Sequence, residues 1–110
     1  MRSFLIDEVS RSDMEKIHSY LKASAVPSKM DSLFWVRIPD DLLSPIQSDH
    51  RECAPHVFAV ELGPDWVKLE FFIRSLNVMQ CTCPGYCTPK QIDFVIKYGR
   101  VMIDRLDLST

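Results

Sequence analysis

The chain reads as an α+β protein. We expect a two-layer sandwich: a three- to four-stranded antiparallel meander, covered on one face by an N-terminal helix and a long C-terminal helix, in a single domain over residues 1–110. Three observations point there. Apolar residues recur at helical spacing at both ends of the chain, and they alternate with polar residues through its middle. The change back to helical period falls at a cysteine-rich turn, Cys81-Thr82-Cys83-Pro84-Gly85-Tyr86-Cys87.

The composition is that of a globular domain, with 110 residues, 46% hydrophobic and 25% charged. A chain of this length buries roughly two thirds of its unfolded surface, enough for one core without covalent staples. The formal charge of −2 lacks the footprint of a protein that binds duplex nucleic acid or anionic membrane. No apolar run approaches the ~18 residues needed to span a bilayer. Asp7 and Glu8 follow Phe4-Leu5-Ile6 directly, which leaves no apolar segment of signal-peptide length. The expected compartment is therefore cytoplasmic. Thiols stay reduced there, so four cysteines suggest metal ligands, redox groups or buried thiols before disulfides.

The elements follow in order. Phe4-Leu5-Ile6 suits a docked arm or a small edge strand. Ser12-Asp13-Met14-Glu15 has the form of a capping box, and Met14, Ile17, His18, Leu21 and Ala25 continue it as one apolar stripe. Pro27 ends that helix, because a residue before proline is pushed out of the helical region. From Leu33 to Ile38, Phe34, Val36 and Ile38 alternate with Trp35 and Arg37, the mark of a half-buried strand. Ser44-Pro45-Ile46-Gln47 repeats the cap signal with proline at the first helical position.

Residues 56–62 and 66–76 flank Gly63-Pro64-Asp65 and form the clearest hairpin. Setting Leu62 against Val67 puts Val60 with Leu69 and Phe58 with Phe71 on one face, and Glu61 with Lys68 on the other. A slip of one residue would turn Lys68 and Glu70 into the core, so the register is well specified. The same register brings Cys53 beside Leu76. Residues 78–83 read as a further short strand, and Cys83-Pro84-Gly85-Tyr86 as a type II turn with glycine at positive φ. Thr88-Pro89-Lys90-Gln91 caps the last helix. Its apolar face is Ile92, Val95, Ile96, Gly99, Met102, Ile103 and Leu106, widened by Phe94, Tyr98 and Val101. That extra width suits packing on the first helix or a homodimer surface. Gly99 on this face costs about 1 kcal/mol relative to alanine, which a close helix approach would explain.

The cysteines allow three readings. In the first, Cys81, Cys83 and Cys87 hold a structural metal, with zinc suited to the Cys83-x3-Cys87 spacing. Cys53, His50 and His56 then compete for the fourth position, with Cys53 preferred. The site forms only if residues 78–83 loop over the sheet end; pairing back along the sheet would carry Cys83 ~15–20 Å from Cys53 at ~3.3 Å per residue. In the second, Cys87, just before a helix cap, is a reactive thiol working with Cys83 or Cys81. In the third, the thiols are small buried hydrophobes. His18 reads as a core-edge histidine and His50 as an exposed loop residue.

Trp35, Arg37, Trp66, Lys68, Phe72 and Arg74 interleave aromatics with cations on the sheet's wet face. Glu70 among them, and the overall negative charge, favour a protein contact over single-stranded nucleic acid. The combined expectation is a small cytoplasmic binding or regulatory module, not an enzyme. It would act through a protein partner or as a homodimer, with Cys53, Cys81, Cys83 and Cys87 forming a structural cysteine loop, with or without zinc. The alternative is a thiol-based redox protein using Cys87.

Overall fold

The computed structural model of the chain describes residues 2–77 and 80–109. Among these, seven strands and three helices form an α+β fold around an antiparallel sheet. The strands are β1 (Ser3–Ile6), β2 (Val26–Pro27), β3 (Leu33–Arg37), β4 (His56–Leu62), β5 (Val67–Glu70), β6 (Phe72–Ser75) and β7 (Gly85–Tyr86). The helices are α1 (Arg11–Ser24), α2 (Pro45–Asp49) and α3 (Pro89–Leu106). The main sheet runs β1-β5-β4-β3-β2, and β6 pairs with both β4 and β7. This is a larger sheet than the expected meander. Its added strands are the N-terminal segment on β5, Val26–Pro27 on β3, and Gly85–Tyr86 on β6. No helix among the described residues is long and apolar enough to cross a membrane.

Alternation produces the core. Phe34, Val36, Phe58, Val60, Val67, Leu69 and Ile73 point from the strands into one buried cluster with Ile17 and Leu21 of α1 and Val95 and Met102 of α3. The helical face of α3 is rotated from the expected one. Gln91, Val95, Gly99 and Met102 lie at its centre, and Phe94 and Tyr98 meet Phe58 edge-on at 6.3 and 5.7 Å. The wide apolar arc is thus partly consumed by the sheet, because aromatics at the arc's edge reach a large ring on the central strand. A Cβ on Gly99 would lie 3.0 Å from the Phe4 ring, so this glycine permits the close approach of α3 to β1.

The cap of helix α1 lies two residues before the expected one. Ser10, not Ser12, accepts from the Asp13 amide at 3.2 Å, since either serine fits the pattern and the earlier one adds helical length. Asp13 is buried and also accepts from the Ser109 amide at 3.1 Å, which fastens the C-terminal segment to the first turn of α1. The caps on α2 and α3 form as expected, both with complete capping boxes.

The hairpin register is observed as expected at its tip, where Leu62 faces Val67, Glu61 faces Lys68 and Val60 faces Leu69. Lys68 and Glu61 form an ion pair at 3.2 Å. At its open end the register differs. The strand breaks at Phe71, and Val57 then faces Arg74 and His56 faces Ser75. An unbroken ladder would have set Val57 against Phe72, so the second strand gains two residues. Because the offset is even, Ile73 stays on the core face. Phe71 is therefore not the ladder partner of Phe58. Its amide bonds to the Arg2 carbonyl, and its own carbonyl accepts from the Cys87 amide.

Candidate metal centre

The register break positions the sulfurs. After β6 the chain turns at Leu76, whose amide bonds to the Pro55 carbonyl at 3.2 Å. The Asn77 side chain donates to the Glu52 carbonyl at 2.7 Å, and the Ser75 hydroxyl donates to the Cys53 carbonyl. These contacts pin the sheet end to a short 3-10 turn, Arg51–Cys53, that follows α2. The expected strand over 78–83 falls partly on residues 78 and 79, which lie outside the described residues. Residues 80–83 are not strand but loop back across that end.

His50 and Cys53 from the turn thereby meet Cys81 and Cys83 from the loop. Cys81 Sγ lies 3.1 Å from Cys53 Sγ, 3.2 Å from Cys83 Sγ and 3.7 Å from His50 Nδ1. The donor atoms of His50, Cys81 and Cys83 all fall within 4.8 Å of one another, a cluster that could hold a metal ion. All four cysteines are free, and the separations are far above the ≈2.05 Å of a disulfide. On a tetrahedral zinc with Zn–S of about 2.3 Å, neighbouring sulfurs stand about 3.8 Å apart and a sulfur–nitrogen edge spans about 3.6 Å. Each of the two sulfur pairs would therefore move apart by about 0.6–0.7 Å around such an ion, while the Cys81–His50 edge already matches.

A buried polar network holds the loop in place. Gln47 of α2 donates through Nε2 to the Cys83 carbonyl at 3.3 Å, and its Oε1 accepts from the Ser44 amide at 3.0 Å. The same Oε1 accepts from Gln91 Nε2 of α3 at 2.9 Å, while Gln91 Nε2 also reaches the Leu42 carbonyl and Oε1 accepts from the Thr88 amide, each at 2.9 Å. The two capping glutamines thus join the starts of both helices to the backbone of the cysteine loop. Such support from outside the donor set is what orients metal ligands.

The thiols differ in acidity. Cys81 is lowered from the ordinary thiol range by the hydrogen bond from Cys53 and then by the Cys83 amide. Cys53 is raised because its proton is held toward Cys81 and by burial. Burial pushes Cys83 up to about 12. The first thiolate of the trio accordingly forms at Cys81, the sulfur at its centre.

Cys87, one of the expected ligands, lies apart from the His50–Cys81–Cys83 group. Its amide bonds to Phe71, its side chain packs against the apolar core, and it stands outside the donor cluster. The cause is β7. Gly85–Tyr86 adds to β6 instead of forming a turn that folds the sulfurs together, and Gly85 has no positive φ. Burial also pushes Cys87 up to about 11, the reverse of an activated thiol. His50, expected in an exposed loop yet counted among candidate fourth ligands, is half-buried in the cluster. The spacing His50-x2-Cys53 is itself that of a ligand half-site and was the signal for it. His56, the other candidate, is buried at the start of β4, and its Nε2 has no hydrogen-bond partner.

Lys68 and Arg74 on the wet sheet face are paired, with Glu61 at 3.2 Å and Glu70 at 3.3 Å, while Arg37 meets Asp40 only loosely, at 3.9 Å with both side chains largely exposed. Lys68 and Arg74 also lie over the rings of Trp66 and Phe72. Neutralised cations are a poor platform for a phosphate backbone. Comparison of the chain with protein-family models, curated proteins and solved structures finds no match.

Proposed function

We propose that the protein is a small cytoplasmic binding module whose sheet-end loops are locked by one structural zinc ion, held by Cys53, Cys81, Cys83 and His50. The observation that carries this reading is the gathering of His50, Cys81 and Cys83 donor atoms within 4.8 Å of one another, with Cys53 Sγ 3.1 Å from Cys81 Sγ, from two segments some thirty residues apart in sequence. Three thiolates and an imidazole complete a tetrahedral shell, the closed form found in structural zinc sites, which leaves no open position for substrate chemistry. Action through a protein partner or a second copy fits such a site, and the exposed Leu5 of β1 and Tyr86 of β7 supply apolar surface for it.

The redox alternative rests on Cys87, and it is disfavoured by that thiol's burial, raised pKa and separation from the other sulfurs.

Metal analysis of protein purified without added metal tests the proposal, combined with thiol titration before and after chelation. The expected result is about one equivalent of zinc, three thiols that become reactive on chelation, and Cys87 slow in both states. Metal-free protein that takes up no zinc, or a single fast thiol at Cys87, would overturn it.

A further inference from the structure

Beside the metal centre, and sharing Gln47 and the 3-10 turn with it, lies a recess of about 280 Å³ bounded by Arg37, Asp40, Gln47, Ser48, Arg51 and the buried His56. We propose that this recess binds a phosphate monoester group.

The donors on its wall outnumber the acceptors. Arg51 has no ion-pair partner among the described residues. Among the described residues Arg37 forms an ion pair only with Asp40, at 3.9 Å, with both side chains largely exposed, a geometry that contributes little. The Ser48 hydroxyl is exposed and adds a donor. His56 lines the recess and is only 3% exposed, yet among the described residues its buried Nε2 has no hydrogen-bond partner. Burial also disfavours the imidazolium, so the neutral ring has one N–H to donate. Two guanidiniums, a hydroxyl and an imidazole N–H, converging from β3, α2, the 3-10 turn and β4, suit a dianion with several acceptor oxygens. Arginine forks match phosphate geometry in particular. The volume is at the small end for ligand sites, which fits a phosphate and the few atoms bonded to it. The recess reads the phosphate alone, so the same group could arrive on a small metabolite or on a phosphorylated peptide side chain.

The test is an amide-shift titration of the protein as purified with inorganic phosphate, a simple alkyl phosphate, a phosphoserine peptide and acetate. Expected are saturable one-to-one shifts centred on Ser48, Arg51 and His56, with acetate about tenfold weaker or absent because it offers fewer acceptors. Tighter binding of the peptide than of the alkyl phosphate assigns the group to a protein partner, and parity assigns it to a small molecule. Arg51→Met should weaken phosphate binding by about tenfold or more, the loss expected for one charge-assisted contact, while Arg11→Met, remote from the recess, should not. Zinc content measured on Arg51→Met separates loss of the recess from disturbance of the neighbouring donors; Ser48→Ala gives a second, milder variant. Unsaturable shifts shared with acetate, or phosphate affinity unchanged in Arg51→Met, would overturn the proposal.

Discussion

Replacing Gln91 with leucine probes the link between fold and site. Gln91 is fully buried and makes three hydrogen bonds, to the Thr88 amide, the Leu42 carbonyl and Gln47 Oε1, each at 2.9 Å. Leucine keeps most of the volume but makes none of them. The Thr88 N–H and the Leu42 carbonyl are then left unpaired at about 1–3 kcal/mol each, the half-buried Thr88 toward the low end because water reaches it. Gln47 Oε1 retains Ser44, so its loss is smaller. Added apolar burial returns part of this, and the net cost is about 2–4 kcal/mol. With a urea m-value of about 1–2 kcal/mol/M, the midpoint falls by roughly 2 M. Urea unfolding followed by tryptophan fluorescence reads this directly, with Lys90→Ala, an exposed neighbour on the same helix, expected within about 0.5 kcal/mol of the parent. The pair Gln47→Leu and Gln91→Leu should be coupled by at least about 0.5 kcal/mol, since the two share a hydrogen bond. A Gln91→Leu protein within about 0.5 kcal/mol of the parent would refute the argument that the capping glutamines hold α2, α3 and the cysteine loop together.

Two further outcomes follow from local geometry. Gly63→Ala should destabilise by about 1–3 kcal/mol, because the new Cβ would sit 2.0 Å from the Trp66 ring and force the indole off the turn; thermal unfolding and the Trp66 emission maximum report it, and an unchanged melting temperature would contradict it. Asp13 is held below its ordinary value of 3.8 by the Ser109 amide and then Lys16, so its ionised form favours the native state. That contribution is full above the ordinary carboxylate range and is lost as pH falls through the lowered native value, so Asp13→Asn should flatten the acid limb of a stability–pH profile. Parallel acid limbs in the two proteins would count against the Asp13–Ser109 tether.

Much of this fold was legible because its signals are local. Alternation at Phe34, Val36 and Ile38, the Leu62–Val67 register and the boxes at Ser44 and Thr88 each depend on a few neighbouring residues. The break at Phe71 was not legible. It is fixed by bonds to Arg2 and Cys87, far away in sequence, and nothing in the run Glu70-Phe71-Phe72 marks it. That one event redirected two expectations. It slid β6 two residues along β4, so that the ladder ends at His56 and Ser75, and it let Gly85–Tyr86 join β6, which took Cys87 away from the other sulfurs. The fork between a paired and a looped 78–83 segment could be stated from the sequence, but only tertiary contacts decide between its branches. The role of Gln47 and Gln91 was half visible. Their caps follow from spacing, whereas the bond joining the two caps requires the helix starts to meet in space.

The donor set is the central claim, and X-ray absorption at the zinc edge of the purified protein addresses it most directly. The account predicts a first shell of three sulfurs near 2.3 Å and one nitrogen near 2.0 Å, with an imidazole outer-shell pattern that disappears in His50→Ala. A shell of four sulfurs, which would require Cys87, or one dominated by oxygen and nitrogen, would contradict it.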